Sequence, residues 1–242
     1  MALPAFNMLW LQAGSCGGCT MSVLEHGASG WVEELAAFGI RLLWHPALSE
    51  ETGEEVVDIL ERIERGETPL HALCIEGSVI HGPHGAGLFN RFAGRPMRDW
   101  IMGLAKRADY CVAVGSCAAF GGIPAGDPDP THATGLQFAA GRAGGALGPE
   151  FRARKGLPVV NVAGCAPHPG WIAETLLALA TGNLAAADLD ALGRPRFFAD
   201  HLAHHGCSRN EFYEFKASAE RISDRGCLME HLGCKATQAV GD

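Results

Sequence analysis

Short apolar runs alternate with amphipathic segments along most of this chain, and that alternation constrains its fold more than any other feature. Residues 8–12, 40–44, 72–75, 110–115 and 157–162 each read as a strand buried on both faces, the pattern of a parallel sheet. Helical patterns fill the intervals, over 31–38 and 97–108 and from Thr52 onward. The spacing of Thr52 to Glu55 makes a capping box, and Val56, Ile59, Leu60 and Ile63 then fall on one face. Pro169 suits the first position of a helix that carries Ile172, Leu176, Leu177 and Ala180, with Gly182 as its stop. Strand and helix in alternation predict an α/β fold, a flavodoxin-like doubly wound parallel sheet.

The pattern fades near residue 183, so the expected division is a sheet domain over 1–185 and a small irregular domain over 186–242. The stretch 121–148, rich in Gly, Ala, Pro and Asp, reads as a long loop. A net charge of −8 without a Lys/Arg run excludes sequence-independent nucleic-acid binding, which needs phosphate neutralisation. No segment reaches the roughly 18–20 apolar residues of a membrane span. The N-terminal residues lack the basic region of a signal peptide and a twin-arginine pattern, so the expected location is the cytoplasm.

Nine cysteines in a reducing compartment point to metal-bound or reactive thiols rather than to disulfides. Cys16-Gly17-Gly18-Cys19 follows the first expected strand, Gly115-Ser116-Cys117 the fourth and Gly164-Cys165-Ala166-Pro167 the fifth. In open α/β sheets the loops at the carboxyl ends of the strands converge on one crevice, so Cys16, Cys19, Cys117 and Cys165 should meet there. Four thiolates hold Zn²⁺ or a 4Fe–4S cluster, and the adjoining glycines favour the cluster, because backbone must approach its sulfides closely. Cys74 and Cys111 lie inside expected strands and read as small buried hydrophobes.

A second group lies in the tail: His204 and Cys207 in H-x-x-C spacing, then Cys227 and Cys234. One His and three Cys make a complete four-ligand set for structural zinc or for a cluster with one histidine ligand. Spacing leaves both metals open here. It favours His204 over the adjacent His205 as the ligand.

These segments together resemble the small subunit of NiFe hydrogenases. The matching stretches are 9–19, Ile75-Glu76-Gly77-Ser78-Val79, Val114 to Ala118 with Gly121-Gly122-Ile123-Pro124, Gly164 to Pro169, His204 to Arg209, and Gly226-Cys227 to Cys234-Lys235. The resemblance implies a proximal 4Fe–4S cluster on Cys16, Cys19, Cys117 and Cys165, and a distal 4Fe–4S cluster on His204, Cys207, Cys227 and Cys234. A medial cluster is expected only if the native chain continues past Asp242. Hydrogen would be split at a nickel–iron centre held by a large-subunit partner, with electrons passed outward to an acceptor. Glu76 matches an acidic residue beside the proximal cluster, in a catalytic proton-path or polar-contact role, or else as a strand-end carboxylate satisfied by its neighbours. Thr20-Met21-Ser22 follows Cys19 where many relatives have an acidic residue, so that acid's proton-transfer role does not carry over. With neither leader nor membrane anchor, the chain resembles the cytosolic hydrogen-sensing branch, whose electrons alter a signalling kinase. The first domain also resembles the cluster-bearing subunit of respiratory complex I, which lacks the H-x-x-C tail.

Overall fold

The computed structural model describes residues 5–26 and 30–241. One five-stranded sheet organises the first part of the chain: β1 (Phe6–Gln12), β2 (Ile40–Trp44), β3 (Leu70–Glu76), β4 (Ala108–Val114) and β5 (Val160–Val162). The order across the sheet is β5-β4-β3-β1-β2, with every pairing parallel. That is the flavodoxin-like arrangement, in which the strand order reverses between β1 and β3 and a crevice opens at their carboxyl ends.

The helices are α1 (Gly18–Leu24), α2 (Trp31–Ala37), α3 (Glu54–Arg65), α4 (Met97–Ala105), α5 (Gly115–Phe120) and α6 (Pro169–Ala180). Successive residues of a strand point to opposite faces. Leu9 and Leu11 of β1 with Leu73 and Ile75 of β3 therefore share one face, where Val56, Leu60 and Ile63 of α3 and Trp100, Ile101 and Leu104 of α4 complete the core. Each such fully buried Leu or Ile contributes ~1.5–3 kcal/mol. The intervening Met8 and Trp10 are equally buried.

Several boundaries differ from the sequence expectation, for physical reasons. The helix expected from Thr52 begins at Glu54, because Gly53 takes φ 56° and turns the chain there. Only half of the capping box forms: the Thr52 N–H donates to Glu55 Oε2 at 3.4 Å. β5 starts at Val160 rather than at residue 157, since Pro158 has no N–H for a ladder. Ala108, expected to end a helix, instead opens β4 opposite Leu70 of β3. The stretch 121–148 holds a 3₁₀ turn, Ile123–Ala125, one pair of two-residue strands, Phe138–Ala139 with Arg142–Ala143, and a two-residue strand, Ala133–Thr134, that pairs with Val79–Ile80.

The chain divides into two compact units, Met1–Gly193 and Arg194–Asp242; from sequence the division was expected at 185. The second unit contains α7 (Arg196–Ala199), α8 (Asn210–Glu214) and α9 (Met229–Leu232). Among its described residues the buried apolar side chains are Pro195, Phe198, Ala199 and Ala219. Among the described residues no helix is long and apolar enough to cross a membrane.

Candidate metal centres

The first centre lies where β1, β3, β4 and β5 end. Cys16 occupies the loop after β1, and Cys19 the first turn of α1. Cys117 sits in α5, directly after β4, and Cys165 in the loop after β5. Hydrogen bonds tie these loops together: Ser116 N–H to Gly164 O at 2.9 Å, and Ser22 Oγ to Pro167 O at 2.7 Å. The Cys19 thiol is pushed up to about 12, first by burial and then by Glu76, Cys117, Cys16 and Cys165. All four thiols and one carboxylate thus act on each other within one neighbourhood. Burial also raises Cys117, followed by the charges of Cys165, Cys16 and Glu76, while a backbone hydrogen bond at Ile123 opposes them. A metal reverses this balance, since binding expels the thiol protons and places positive charge among the sulfurs. Among the described residues no three His, Cys, Asp or Glu side chains form a group able to hold a single metal ion.

Two glycines keep this cradle open. A Cβ on Gly115, at φ 89°, would lie 2.5 Å from Cys19 Sγ. One on Gly122, at φ 59°, would lie 2.5 Å from Cys117 Sγ. Both positions demand a backbone conformation that side chains disfavour and deny a side chain any room. Four thiol donors within a glycine cradle fit an iron–sulfur cluster.

Beneath the first loop lies a polar network centred on Glu76, which is 1 % exposed. Its Oε1 accepts from Ser15 Oγ at 2.9 Å and the Cys19 N–H at 3.1 Å. Its Oε2 accepts from Thr20 Oγ1 at 2.5 Å, and from Trp10 Nε1 and Gln12 Nε2, each at 3.2 Å. Burial works to raise this carboxyl, but the bonds from Thr20, Ser15, Gln12 and Trp10 outweigh it and hold it below its ordinary value. Thr20 Oγ1 in turn accepts from Gln12 Nε2 at 2.9 Å and lies 3.4 Å from His45 Nε2. His45 Nδ1 accepts from the Ala47 N–H at 3.0 Å, so the ring proton is on Nε2 and faces Thr20. Burial lowers the His45 ring to about 4, against an opposing pull from Glu76. The ring is therefore a neutral donor at physiological pH. Of this network the sequence singled out Glu76 and, as a candidate ligand, Cys19; Thr20 entered only as a departure from the family pattern. Trp10 and Gln12 lay unremarked in an expected strand, and His45 carried no motif.

The second centre lies in the second unit. His204, Cys207, Cys227 and Cys234 line one small cavity, with Arg209 beside them. The His204 ring meets Tyr213 edge-on at 4.4 Å. His205 is exposed, and its Nδ1 accepts from the Leu202 N–H at 3.3 Å. Cys207 Sγ accepts from the N–H of Arg209 and Cys234 Sγ from that of Ala236, each at 3.4 Å, the same local turn used twice. Cys227 is held by backbone pairing, its N–H to Ala217 O at 2.8 Å and its carbonyl to Ala219 N at 2.9 Å. Cys74 and Cys111 are fully buried within β3 and β4 as apolar core residues, and burial raises both thiols.

Known proteins show the same two-part make-up. Residues 16–179 match the family model described as NADH ubiquinone oxidoreductase, 20 Kd subunit. Residues 199–242 match the model for the C-terminal part of the NiFe/NiFeSe hydrogenase small subunit. The F420 non-reducing hydrogenase II small subunit of Methanosarcina mazei is 31 % identical, over 98 % of this chain and 66 % of that protein. The hydrogenase-2 small chain of Escherichia coli K12 is 30 % identical, over 97 % and 59 %. The chain thus spans less than two thirds of the length of these curated relatives. The solved actinobacterial-type NiFe-hydrogenase of Ralstonia eutropha H16 superposes with a TM-score of 0.84 at 29 % identity, covering 99 % of this chain and 72 % of that one. The Ni-Fe-Se hydrogenase of Desulfomicrobium baculatum gives 0.80 at 28 %, covering 99 % and 86 %. The chain therefore belongs to the NADH ubiquinone oxidoreductase 20 kDa subunit family, matched over residues 16–179, and its C-terminal residues 199–242 are similar to the C-terminal part of NiFe/NiFeSe hydrogenase small subunits.

Proposed function

We propose that this chain is the electron-transferring small subunit of a NiFe hydrogenase, with a 4Fe–4S cluster at each of its two centres. The observation that carries the reading is the gathering of Cys16, Cys19, Cys117 and Cys165 at the carboxyl edge of the parallel sheet, joined in the same chain to a His204, Cys207, Cys227, Cys234 cavity. When bound, the clusters supply one-electron storage and transfer. The chain's own residues do the rest. Eight side chains would serve as ligands, and Gly115 and Gly122 leave room for the Cys19 and Cys117 sulfurs. Glu76 positions the Cys16–Cys19 loop through Ser15, the Cys19 N–H and Thr20, and stays ionised while doing so.

The partner is a large subunit that holds the nickel–iron centre, seated over the first centre. Met21, 67 % exposed, and Ile123, 85 % exposed, flank that centre and support an apolar partner surface there. The second unit, with its histidine and three cysteines, favours a hydrogenase over the cluster-bearing subunit of complex I. The Cys-Gly-Gly-Cys-Thr-Met-Ser segment supports the cytoplasmic, hydrogen-sensing branch, in which electrons reach a small acceptor or alter a kinase partner.

The test is anaerobic exposure of the co-expressed heterodimer to hydrogen, followed by electron paramagnetic resonance. Reduced cluster signals that appear with hydrogen and vanish in Cys16→Ser support the reading. Clusters that reduce with dithionite but stay oxidised under hydrogen contradict it.

A further inference from the structure

Arg209 lies two residues beyond Cys207, yet its guanidinium reaches across to the segment that carries Cys227. Nη1 donates to Asp224 O at 2.9 Å and to Gly226 O at 2.7 Å, and Nη2 donates to Ile222 O at 3.1 Å. These carbonyls belong to the residues immediately before Cys227, and Gly226 is itself buried. On its other side Cys227 is held by backbone pairing with Ala217 and Ala219. The second unit buries few apolar side chains among its described residues, so packing does little to fix this segment. The guanidinium fork does so instead, bridging Cys207 and Cys227 across the intervening chain. A second property follows from the acceptors. All three are neutral carbonyl oxygens, and among the described residues Arg209 forms no ion pair with a carboxylate. Arg209 also lines the same cavity as the four candidate ligands. A guanidinium stays protonated at any working pH. Three thiolates and a bound cluster would thus share their cavity with a permanent cation.

We propose that Arg209 is the positioning residue of the second centre, clamping the Cys227 segment against the Cys207 loop and compensating the charge of the bound cluster. This rests on the reading of that centre as an iron–sulfur site. An uncompensated cation favours the reduced, more negative state and so raises the reduction potential. The fork and the charge are separable. Lysine keeps the charge but cannot span three carbonyls, whereas glutamine loses both.

The experiment compares the co-expressed heterodimer as wild type, Arg209→Lys, Arg209→Gln and Arg225→Gln. Arg225 is an exposed cation on the same segment and serves as the control for general surface charge. Mössbauer spectra read the occupancy of each centre, and potentiometric titration followed by electron paramagnetic resonance reads the second centre's potential. First-centre signals that stay unchanged report an intact fold. In R209Q the second centre should lose occupancy, and its potential should move negative. In R209K occupancy should fall while the loaded fraction keeps the wild-type potential. R225Q should match wild type in both. Should R209Q carry no second cluster at all, R209K decides: reduced occupancy at an unchanged potential supports the proposal, and full occupancy overturns it. Wild-type occupancy and potential in R209Q would also overturn it, as would an equal shift in R225Q. Zinc at the second centre of the wild-type protein would defeat the underlying cluster reading, and with it the proposal, before any variant is compared.

Discussion

At the scale of single residues the first centre depends on groups that are not ligands. Gly115 leaves room where a Cβ would sit 2.5 Å from Cys19 Sγ, and its φ of 89° disfavours any side chain. Gly115→Ala is expected to cost ~1–3 kcal/mol in backbone strain and to empty the first centre while the second stays loaded. Thermal unfolding together with Mössbauer occupancy checks both halves; a fully loaded first centre would contradict the account. Glu76 gathers five donors on one buried carboxylate. In Glu76→Ala these donors lose their acceptor, and each one that stays buried and unpaired costs ~1–3 kcal/mol. The variant should unfold at markedly lower temperature and load the first centre poorly. Glu76→Gln keeps the shape but not the charge, so it should recover part of the stability. Equal loading in wild type and E76A would remove Glu76 from its positioning role.

At the scale of elements, β1, β2 and β3 bring Trp10, Gln12, His45 and Glu76 together at one edge of the sheet. His45 directly follows β2 as a fully buried neutral ring whose value is lowered to about 4 from an ordinary 6.5. As pH falls, the unfolded chain takes up that proton before the folded one does. The stability contribution is therefore complete above 6.5 and is lost between there and about 4, by ~3 kcal/mol at most. The lowered Glu76 carboxyl acts in the same direction at lower pH. Urea unfolding of wild type and His45→Gln across that range checks the claim: the wild-type midpoint should fall more steeply toward acid, and parallel slopes would contradict it. The elements themselves were legible because apolar runs and helical periodicity report burial directly. The four strand-end cysteines were legible because glycine beside thiol at a strand end marks a site rather than a core. The short helices α1 and α5 that carry Cys19 and Cys117 were not, since six or seven residues give too little periodicity. Nor was the His45–Thr20–Glu76 network, whose members lie far apart in sequence and meet only through strand order.

At the scale of the whole molecule, the proposed centres bear differently on the two units. Met1–Gly193 has an extensive sheet-centred core, whereas the described part of Arg194–Asp242 buries only Pro195, Phe198, Ala199 and Ala219 among its apolar side chains. A unit with so small a core would draw much of its folding free energy from a metal bound at the proposed second centre. Removing metal by chelation should therefore expose 194–242 to protease while leaving 1–193 resistant, as limited proteolysis with mass spectrometry would show. Equal resistance of both units in the metal-free chain would contradict this. The identity of the metal carries the functional reading, because zinc and iron both suit a His and three Cys while only iron–sulfur clusters store and pass electrons. The most direct measurement is iron, acid-labile sulfide and zinc per chain after anaerobic purification with the large subunit. About eight irons and eight sulfides without zinc is the predicted result for two 4Fe–4S clusters. Zinc without iron would contradict the assignment of this chain as an electron-transferring subunit.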